Sequence, residues 1–426
     1  MKKANYVLQN IATGARFEDT GWILDDPNMP NVSLIRAIYE KKQLHLKSED
    51  HGFYIFADWL PITRMLKGSS APVTYKSEKL AKYLGCPNLY ITFNGFWPER
   101  EAAMSTCSFK ETEAYSVCAR MTDAMKKVLV VASAGNTARA FAKVCSDNNI
   151  PLLLCVPEDN LNALWFEKPV NDCVKLIAAE KGGDYFDAIH LGNIAVKSDK
   201  FFAEGGAKNI ARRDGMGTTT LSATTFIGEI PDYYFQSVGS GTGAIAAWEA
   251  NLRLIEDGRF GNKTMQLMTS QNHPFLPMYD AWRADSRVLL PLDDNTAREQ
   301  AQIIEAKVLS NRKPPYGIAG GLFDALKATN GTVLSVNNKE LRNAMALFET
   351  LEGNDIHPAS GVALASLIKE AQRRSIDKEK IIMLNITGGG DHRFKKGKKL
   401  FYLKPDIVFP IEHDEEEVLK QIENLF

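Results

Sequence analysis

The chain has 426 residues, of which 45% are hydrophobic and 24% charged, and its 51 basic side chains nearly balance its 52 acidic ones. This length allows two or three domains with sizeable cores, and the composition excludes collagen-like, low-complexity and disordered classes. No basic block interleaved with aromatic residues indicates nucleic acid, and no apolar run reaches the roughly 20 residues of a membrane helix. Without a secretory signal or a Cys-x-x-Cys pair among six cysteines, we expect a cytoplasmic protein with reduced thiols.

From about residue 126 onward, short β-rich runs alternate with helical periodicity, which is the pattern of βαβ units and a mainly parallel sheet. The first 50 residues have a short-strand rhythm and predict a small separate extension. The predicted strands are 128–132, 150–157, 232–238, 265–269 and 380–385, and the predicted helices are 111–121, 137–148 and 244–257. The turns that join them are the places to expect a ligand, because open α/β sheets bind ligands there.

Two later segments depart from this alternation. Residues 285–316 are rich in Arg, Gln and Pro and carry few strand signals, so we expect an irregular excursion or lid. Residues 412–426 place carboxylates ahead of Val418, Leu419 and Ile422. This order predicts a short amphipathic helix at the C-terminal end.

A glycine- and hydroxyl-rich run, Gly239-Ser240-Gly241-Thr242-Gly243, lies where a predicted strand meets a predicted helix. Such a backbone lets several N–H groups and two hydroxyls converge on an anion, and a phosphate is the natural guest. The run is not a Walker loop, and its spacing does not fit a dinucleotide fingerprint. A tight turn without a ligand is the alternative.

Two further turns carry reactive or polar groups at helix starts. In Ser133-Ala134-Gly135-Asn136-Thr137, the N–H groups of the helix favour a carboxylate, and the Asn136 amide can bind a phenolic or carbonyl oxygen. The alternative is a simple N-cap by Asn136 or Thr137. In Ser108-Phe109-Lys110, the lysine amine can form a Schiff base with an aldehyde cofactor, and an ordinary surface lysine is the alternative.

The order and the residues of these three segments resemble those of fold-type II pyridoxal-phosphate enzymes. In that superfamily a Ser-Phe-Lys segment carries the cofactor lysine, a Ser-x-Gly-Asn-Thr turn holds the substrate carboxylate and the cofactor's phenolic oxygen, and a glycine loop holds the cofactor phosphate. Similarity to threonine synthases extends to Ala71-Pro72-Val73, Leu89-Tyr90-Ile91, Leu351-Glu352-Gly353, Pro358-Ala359-Ser360 and Asn385-Ile386-Thr387-Gly388-Gly389-Gly390. The resemblance spans about residues 50–395.

This resemblance implies an α/β fold of the tryptophan synthase β type, with two open twisted αβα domains. The implied large cofactor-binding domain comprises residues 51–125 and 236–410, and the small domain with the carboxylate-binding turn comprises 126–235. Residues 1–50 then form a degenerate ribbon-like extension, in which the lack of cysteine excludes a zinc site. Residues 411–426 form the C-terminal helix.

The resemblance also implies roles for individual residues, with Lys110 as the catalytic residue and no metal ligand. The implied cofactor-binding residues are Lys110, Asn136, Gly239, Ser240, Gly241, Thr242, Gly243 and Thr387. The expected substrate-binding residues are Ser133, Ala134, Gly135, Thr137, Arg139 and Thr106, with Arg139 chosen because arginine prefers oxyanions. The Thr387 hydroxyl would meet the pyridine nitrogen or else cap a helix. His357 could belong to the site, but we expect it to be structural. Glu352 is expected either to close over the cofactor ring or to cap a turn.

Departures from the threonine synthase pattern indicate a subfamily. The N-terminal ribbon cysteines are missing, and Asn94-Gly95-Phe96-Trp97-Pro98-Glu99 replaces the usual Asn-Pro-Thr-Gly lead into the lysine segment. Glu111-Thr112 replaces the Asp-Arg that usually follows the lysine. Together with Phe56-Ala57-Asp58-Trp59-Leu60-Pro61, these features are most similar to the cysteate synthase family.

That family resemblance implies a pyridoxal-phosphate-dependent β-replacement that converts O-phospho-L-serine and sulfite to L-cysteate and phosphate, in sulfonate or coenzyme M biosynthesis. The alternatives are threonine synthesis from O-phosphohomoserine, another β-replacing lyase, or a non-catalytic protein that binds pyridoxal phosphate. The implied partners are a small anionic amino-acid substrate and sulfite, and the implied assembly is a homodimer. Neither nucleic acid nor a membrane is expected as a partner.

Overall fold

Strands and helices alternate along most of the computed structural model, which describes residues 4–122, 125–133 and 135–426. The strands are β1 (Tyr6–Asn10), β2 (Arg16–Phe17), β3 (Ile35–Tyr39), β4 (Val73–Lys76), β5 (Leu89–Phe93), β6 (Phe96–Trp97), β7 (Ala102–Ala103), β8 (Val128–Ala132), β9 (Leu152–Pro157), β10 (Trp165–Phe166), β11 (Val174–Ala179), β12 (Phe201–Ala203), β13 (Tyr233–Ser237), β14 (Gln266–Asn272), β15 (Thr332–Val336), β16 (Ile382–Ile386), β17 (Phe401–Tyr402) and β18 (Ile407–Phe409). The α-helices are α1 (Lys79–Leu84), α2 (Lys110–Arg120), α3 (Asn136–Asn148), α4 (Tyr185–Ala195), α5 (Ile210–Ile227), α6 (Thr242–Asp257), α7 (Pro277–Arg283), α8 (Asp294–Ile303), α9 (Leu322–Ala328), α10 (Asn338–Glu352), α11 (Pro358–Arg373), α12 (Asp391–Lys395) and α13 (Glu415–Glu423).

The larger sheet has six strands in the order β15-β14-β13-β16-β5-β4. Its strands are parallel except β4, which runs antiparallel to β5 at one edge. Successive residues of β14 point into two different cores, as expected for a strand covered on both faces. Leu267 packs with α5 and α6, whereas Met268 packs with α10 and α11.

The smaller sheet has five parallel strands in the order β12-β8-β9-β11-β18. Its two faces are again separated by strand alternation. Leu154 of β9 belongs to the core that contains α3, and Cys155 belongs to the core that contains α4 and α13. The molecule is therefore an α/β protein with two open sheets, each covered by helices on both faces, as the sequence predicts.

The N-terminal residues form a three-stranded antiparallel sheet in the order β2-β1-β3. This sheet packs against helices α2 and α5. Buried Arg120 at the end of α2 donates to Asp19 at 3.0 Å, and Tyr39 donates to Asp214 of α5 at 2.7 Å. The domain boundaries remain a prediction. Strand β18 lies within the range 236–410 that was predicted for the large domain, but it pairs with β11 of the smaller sheet.

The segment 285–316 contains a helix that the sequence analysis did not expect. Helix α8 begins after Asp293, whose carboxylate caps it by accepting from the Thr296 N–H at 2.8 Å. The expectation of an irregular segment is wrong over α8. The helix is mostly polar and buries only Ala297, so it lacks the apolar periodicity that identifies helices in a sequence.

The C-terminal helix predicted over 412–426 is confirmed as α13. Its N-terminus is capped by Asp414, which accepts from the Glu416 and Glu417 N–H groups, and its Val418 and Ile422 side chains are buried. Among the residues that the structure describes, no helix has both the length and the apolar content needed to cross a membrane.

Candidate active site

The three chemistry-bearing turns meet in one cleft between the two sheets. The space within it, counted to its open mouth, is about 880 Å³. Its lining includes the predicted residues Ser108, Lys110, Ser133, Gly135, Asn136, Thr137, Gly239, Ser240, Gly241, Thr242, Gly243 and Thr387. Residues that the sequence analysis did not single out complete the wall: Tyr185, Arg212, Met216, Gln236 and 308–311. Ala134 lies outside the described residues.

Lys110 is the first residue of α2, and its amine is mostly buried. The side chain is 20% exposed, and Nζ donates to Glu113 Oε2 at 3.1 Å. The backbone is anchored just before it, because the Phe109 N–H donates to the Thr387 carbonyl at 3.0 Å. Burial lowers the pKa of the Lys110 amine, although Glu113 partly opposes the shift. A lowered pKa enlarges the neutral, nucleophilic fraction that Schiff-base chemistry requires.

A buried ionic cluster lies behind Lys110. Arg212 of α5 donates to both Glu113 oxygens, at 3.1 and 3.0 Å, and to Glu204 at 2.6 Å. Burial alone would raise the pKa of Glu113, but the Arg212 and Lys110 cations lower it overall. Burial raises the pKa of Glu204 despite the nearby Arg212. The sequence offered no signal for this cluster, because about 100 positions separate Glu113 from Arg212.

The glycine loop joins β13 to α6, and close packing fixes its shape. Gly241 has φ +80°, the left-handed region that favours glycine. A Cβ on Gly243 would lie 2.5 Å from Gln236 Nε2, so a larger residue there would have to displace the buried Gln236 amide. The Ser240 and Thr242 hydroxyls lie 2.8 Å apart beside the first N–H groups of α6. These neutral donors at a helix N-terminus fit a phosphate.

The second turn joins β8 to α3, and its side chains are largely engaged within the protein. Ser133 Oγ accepts from the Gly135 and Ala138 N–H groups, at 3.1 and 3.0 Å, and thereby caps α3. The Thr137 hydroxyl donates to Glu113 at 2.8 Å. Asn136 accepts from Arg139 through Oδ1 at 3.1 Å, which leaves Nδ2 as the donor available to a ligand.

Arg139 and Thr106, both expected to bind substrate, do not line the cleft. Arg139 is 3% exposed and donates to the Thr106 and Ala163 carbonyls, each at 2.8 Å. Its guanidinium also stacks on Trp165, 4.2 Å from the ring centroid. Because its donors are used by main-chain carbonyls, Arg139 supports the wall of the cleft from behind and is not exposed to an anion within it.

Thr387 follows β16 and closes the cleft from the side of the larger sheet. Its hydroxyl lies 3.4 Å from Ser360 Oγ, and the residue is almost fully buried. His357 also lines the cleft, but its Nε2 pairs with Asp391 at 2.6 Å, which agrees with the expected structural role. Although burial opposes it, the contact with His357 holds the pKa of Asp391 below its usual range.

Glu352 lies away from the cleft and performs the capping role that was one of its two predicted roles. It accepts from Tyr75 at 3.0 Å, from Ser77 at 2.7 Å and from the Leu80 N–H at 3.3 Å, in the first turn of α1. Within the described ranges, no group of three or more His, Cys, Asp or Glu side chains is arranged to hold a metal ion.

Comparison with solved structures shows the fold. The chain is similar to maize serine racemase with a TM-score of 0.57 and 14% sequence identity, over 75% of this chain and 88% of the racemase. It is also similar to a pyridoxal 5'-phosphate-dependent aspartate racemase, with a TM-score of 0.55, 15% identity and coverage of 75% and 90%. The fold-type II class predicted from the sequence is therefore confirmed.

Comparison of sequences shows the family. Residues 73–388 match the family model described as pyridoxal-phosphate dependent enzyme, which includes every segment that forms the cleft. The chain is 47% identical to the cysteate synthase of Methanosarcina mazei, over 88% of this chain and 90% of that protein. It is 46% identical to the cysteate synthase of Methanosarcina acetivorans with the same coverage. The chain therefore belongs to the cysteate synthase family of pyridoxal-phosphate dependent enzymes.

Proposed function

We propose that this protein exchanges the phosphate of O-phospho-L-serine for sulfite, giving L-cysteate and inorganic phosphate. The observation that carries this proposal is the 46–47% identity to two cysteate synthases over about nine-tenths of both chains. The cleft supports it, because it combines an amine of lowered pKa with two helix N-termini that suit anionic groups.

The cofactor of this family is pyridoxal phosphate, and the cleft offers a group for each part of it. Lys110 would anchor its aldehyde, the glycine loop would hold its phosphate, Asn136 Nδ2 would donate to its phenolic oxygen, and the Thr387 hydroxyl would bind its ring nitrogen. When bound, pyridoxal phosphate supplies an electron sink that makes the Cα proton of an amino acid easier to remove. A neutral hydroxyl at the ring nitrogen supplies less counter-charge than a carboxylate would, which limits transamination.

The Lys110 amine is the base of the proposed reaction. With the cofactor bound, Nζ would accept the Cα proton of phosphoserine. The Cβ–oxygen bond to phosphate breaks, the sulfite sulfur bonds to Cβ, and a proton returns to Cα. Sulfite is already largely ionised at neutral pH, so its attack requires no general base. The first N–H groups of α3 bind the substrate carboxylate.

The test is a substrate panel on the purified holoenzyme. Phosphoserine and phosphohomoserine are each supplied with and without sulfite, released phosphate is measured, and amino-acid products are identified by mass spectrometry. We expect cysteate from phosphoserine with sulfite. Threonine from phosphohomoserine, with no cysteate from phosphoserine and sulfite, would contradict the proposal and leave the cofactor assignment intact.

The assembly and the cellular location belong to the same proposal. We expect a homodimer, because the resemblance to the superfamily implies one, and light scattering on the purified protein tests it. We expect a cytoplasmic location, where the six cysteines, all unpaired in the structure, stay reduced. Fractionation of cells that express the tagged chain tests that location.

A further inference from the structure

Glu113 lies directly behind the wall of the cleft and contacts three residues that line it. Its carboxylate is fully buried, and Glu113 is not among the described residues that line the cleft. It accepts from Lys110 Nζ at 3.1 Å, from Arg212 at 3.0 and 3.1 Å, and from the Thr137 hydroxyl at 2.8 Å. One side chain thus joins the starts of α2 and α3 to α5.

The contact with Lys110 follows from helix geometry. Glu113 is three positions after Lys110 on α2, a spacing that places two side chains on the same face of a helix. The bidentate contact from Arg212 fixes the carboxylate plane, so Oε2 has a defined position beside Nζ. Glu113 therefore cannot turn away from the amine without breaking both of its hydrogen bonds from Arg212.

The other charged or titratable groups around this cluster are few. Arg212 faces the carboxylate from α5, Glu204 faces Arg212 from the loop before α5, and Tyr185 faces the cluster from α4. Burial raises the pKa of Tyr185 and of Glu204. Glu113 is the carboxylate in direct contact with the Lys110 nitrogen, at 3.1 Å, whereas Glu204 contacts Arg212.

We propose that Glu113 is a positioning residue that fixes Lys110 Nζ in the cleft and stabilises the positive charge that this nitrogen carries when it is protonated. The proposal rests on the proposed function, in which Nζ accepts the Cα proton of the substrate and becomes a cation 3.1 Å from the carboxylate. The same carboxylate holds Arg212 and Thr137 at the wall, so the amine and both neighbours keep one fixed arrangement.

The test is a spectroscopic pH titration of holoenzyme carrying Glu113→Gln. The absorbance of the cofactor attached to Lys110 reports protonation of the lysine nitrogen. Because an opposite charge at this distance raises the pKa of a cation by about 1 to 3 units, its loss should move the titration midpoint to lower pH by at least one unit. We also expect the acidic limb of the kcat profile to move in the same direction and KM for phosphoserine to change less than kcat.

Glu111→Gln is the matched control. Glu111 is also a buried carboxylate in the first turn of α2, but it accepts from the Thr106 N–H and does not contact Lys110. Its replacement should leave the midpoint at the wild-type value. If Glu113→Gln does not fold, Glu113→Asp retains the charge for Arg212 but withdraws it from Nζ, and a smaller shift of the same sign is expected.

A midpoint that stays within 0.3 pH units of wild type, or rises, in the Glu113 variant that folds would overturn the proposal. A shift of equal size in Glu111→Gln would also overturn it, because the effect would then belong to any buried carboxylate of α2. The spectrum distinguishes this failure from failure of the proposed function. Wild-type enzyme that makes no cysteate disproves the reaction, whereas an unshifted midpoint in an enzyme that makes cysteate disproves only the role of Glu113.

Discussion

The two strand-to-helix turns of the cleft look alike in sequence but differ in how their polar groups are used. In the glycine loop between β13 and α6, the Ser240 and Thr242 hydroxyls contact each other beside the cleft, and Ser240 Oγ also accepts from the Thr242 N–H at 3.3 Å. In the turn between β8 and α3, the Ser133 and Thr137 side chains are bonded to backbone N–H groups and to Glu113. The hydroxyls of the first turn are thus bonded within the loop itself, whereas those of the second are bonded to the start of α3 and to Glu113.

This difference explains why a sequence motif can locate a site without showing which of its hydroxyls are available to a ligand. Both turns were located by their position between a strand and a helix, which is a local property. Whether a hydroxyl is available to a ligand depends on distant residues such as Glu113. Single substitutions that remove one polar group at a time from either turn sharpen this contrast. The first removes Lys110, which lies between the two turns.

The largest expected effect is that of Lys110→Ala. Both turns face this amine, so its loss should reduce formation of cysteate by about 10⁴-fold, because the variant lacks both the anchor for the cofactor and the base. The absorbance of lysine-bound cofactor should disappear and return in part only with an added external amine. Lys79→Ala, which removes an exposed lysine on α1, is the control. Retention of the bound-cofactor absorbance in Lys110→Ala would show that another amine is the anchor.

Arg139→Ala tests whether side chains near the second turn support the wall or bind substrate. The variant leaves the Thr106 and Ala163 carbonyls without their donor and removes the stack on Trp165. We expect the free energy of unfolding, measured with urea, to fall by about 3 kcal/mol, with KM for sulfite changed less than threefold. Arg16→Ala, at an exposed position of β2, is the control. A tenfold rise in KM for sulfite at normal stability would instead place Arg139 on the substrate.

Thr242→Val tests the glycine loop while retaining the shape of the side chain. Loss of a hydroxyl that donates to a phosphate should weaken binding of pyridoxal phosphate by about 10- to 100-fold, because hydrogen bonds to charged groups contribute about 1.5–3 kcal/mol. Thr137→Val is the counterpart in the second turn, and its effect on cofactor affinity should be less than twofold. Equal effects of the two variants, measured by equilibrium dialysis, would contradict the difference between the turns.

The sequence predicted the parts of this protein that local patterns determine. Strands β8 and β13 and the helices that follow them were placed within two residues, because buried strands and glycine turns are short-range signals. The ion pairs of Glu113 were not predictable, since Arg212 is remote in the chain. Arg139 was assigned to an oxyanion from its residue type alone, and the carbonyls that actually accept its hydrogen bonds become neighbours only in the folded chain.

Ser133→Ala should have the smallest effect and gives the sharpest test of the second turn. Ser133 Oγ accepts from two N–H groups at the start of α3, so the variant loses a helix cap, and we expect the free energy of unfolding to fall by about 1 kcal/mol. The N–H groups that bind the carboxylate remain, so KM for phosphoserine should rise less than threefold in enzyme saturated with cofactor. Ser240→Ala, the matching hydroxyl deletion in the glycine loop, should instead weaken cofactor binding. A tenfold rise in KM for Ser133→Ala with unchanged stability would show that the hydroxyl leaves its cap to contact substrate, and the two turns would then present side chains in the same way.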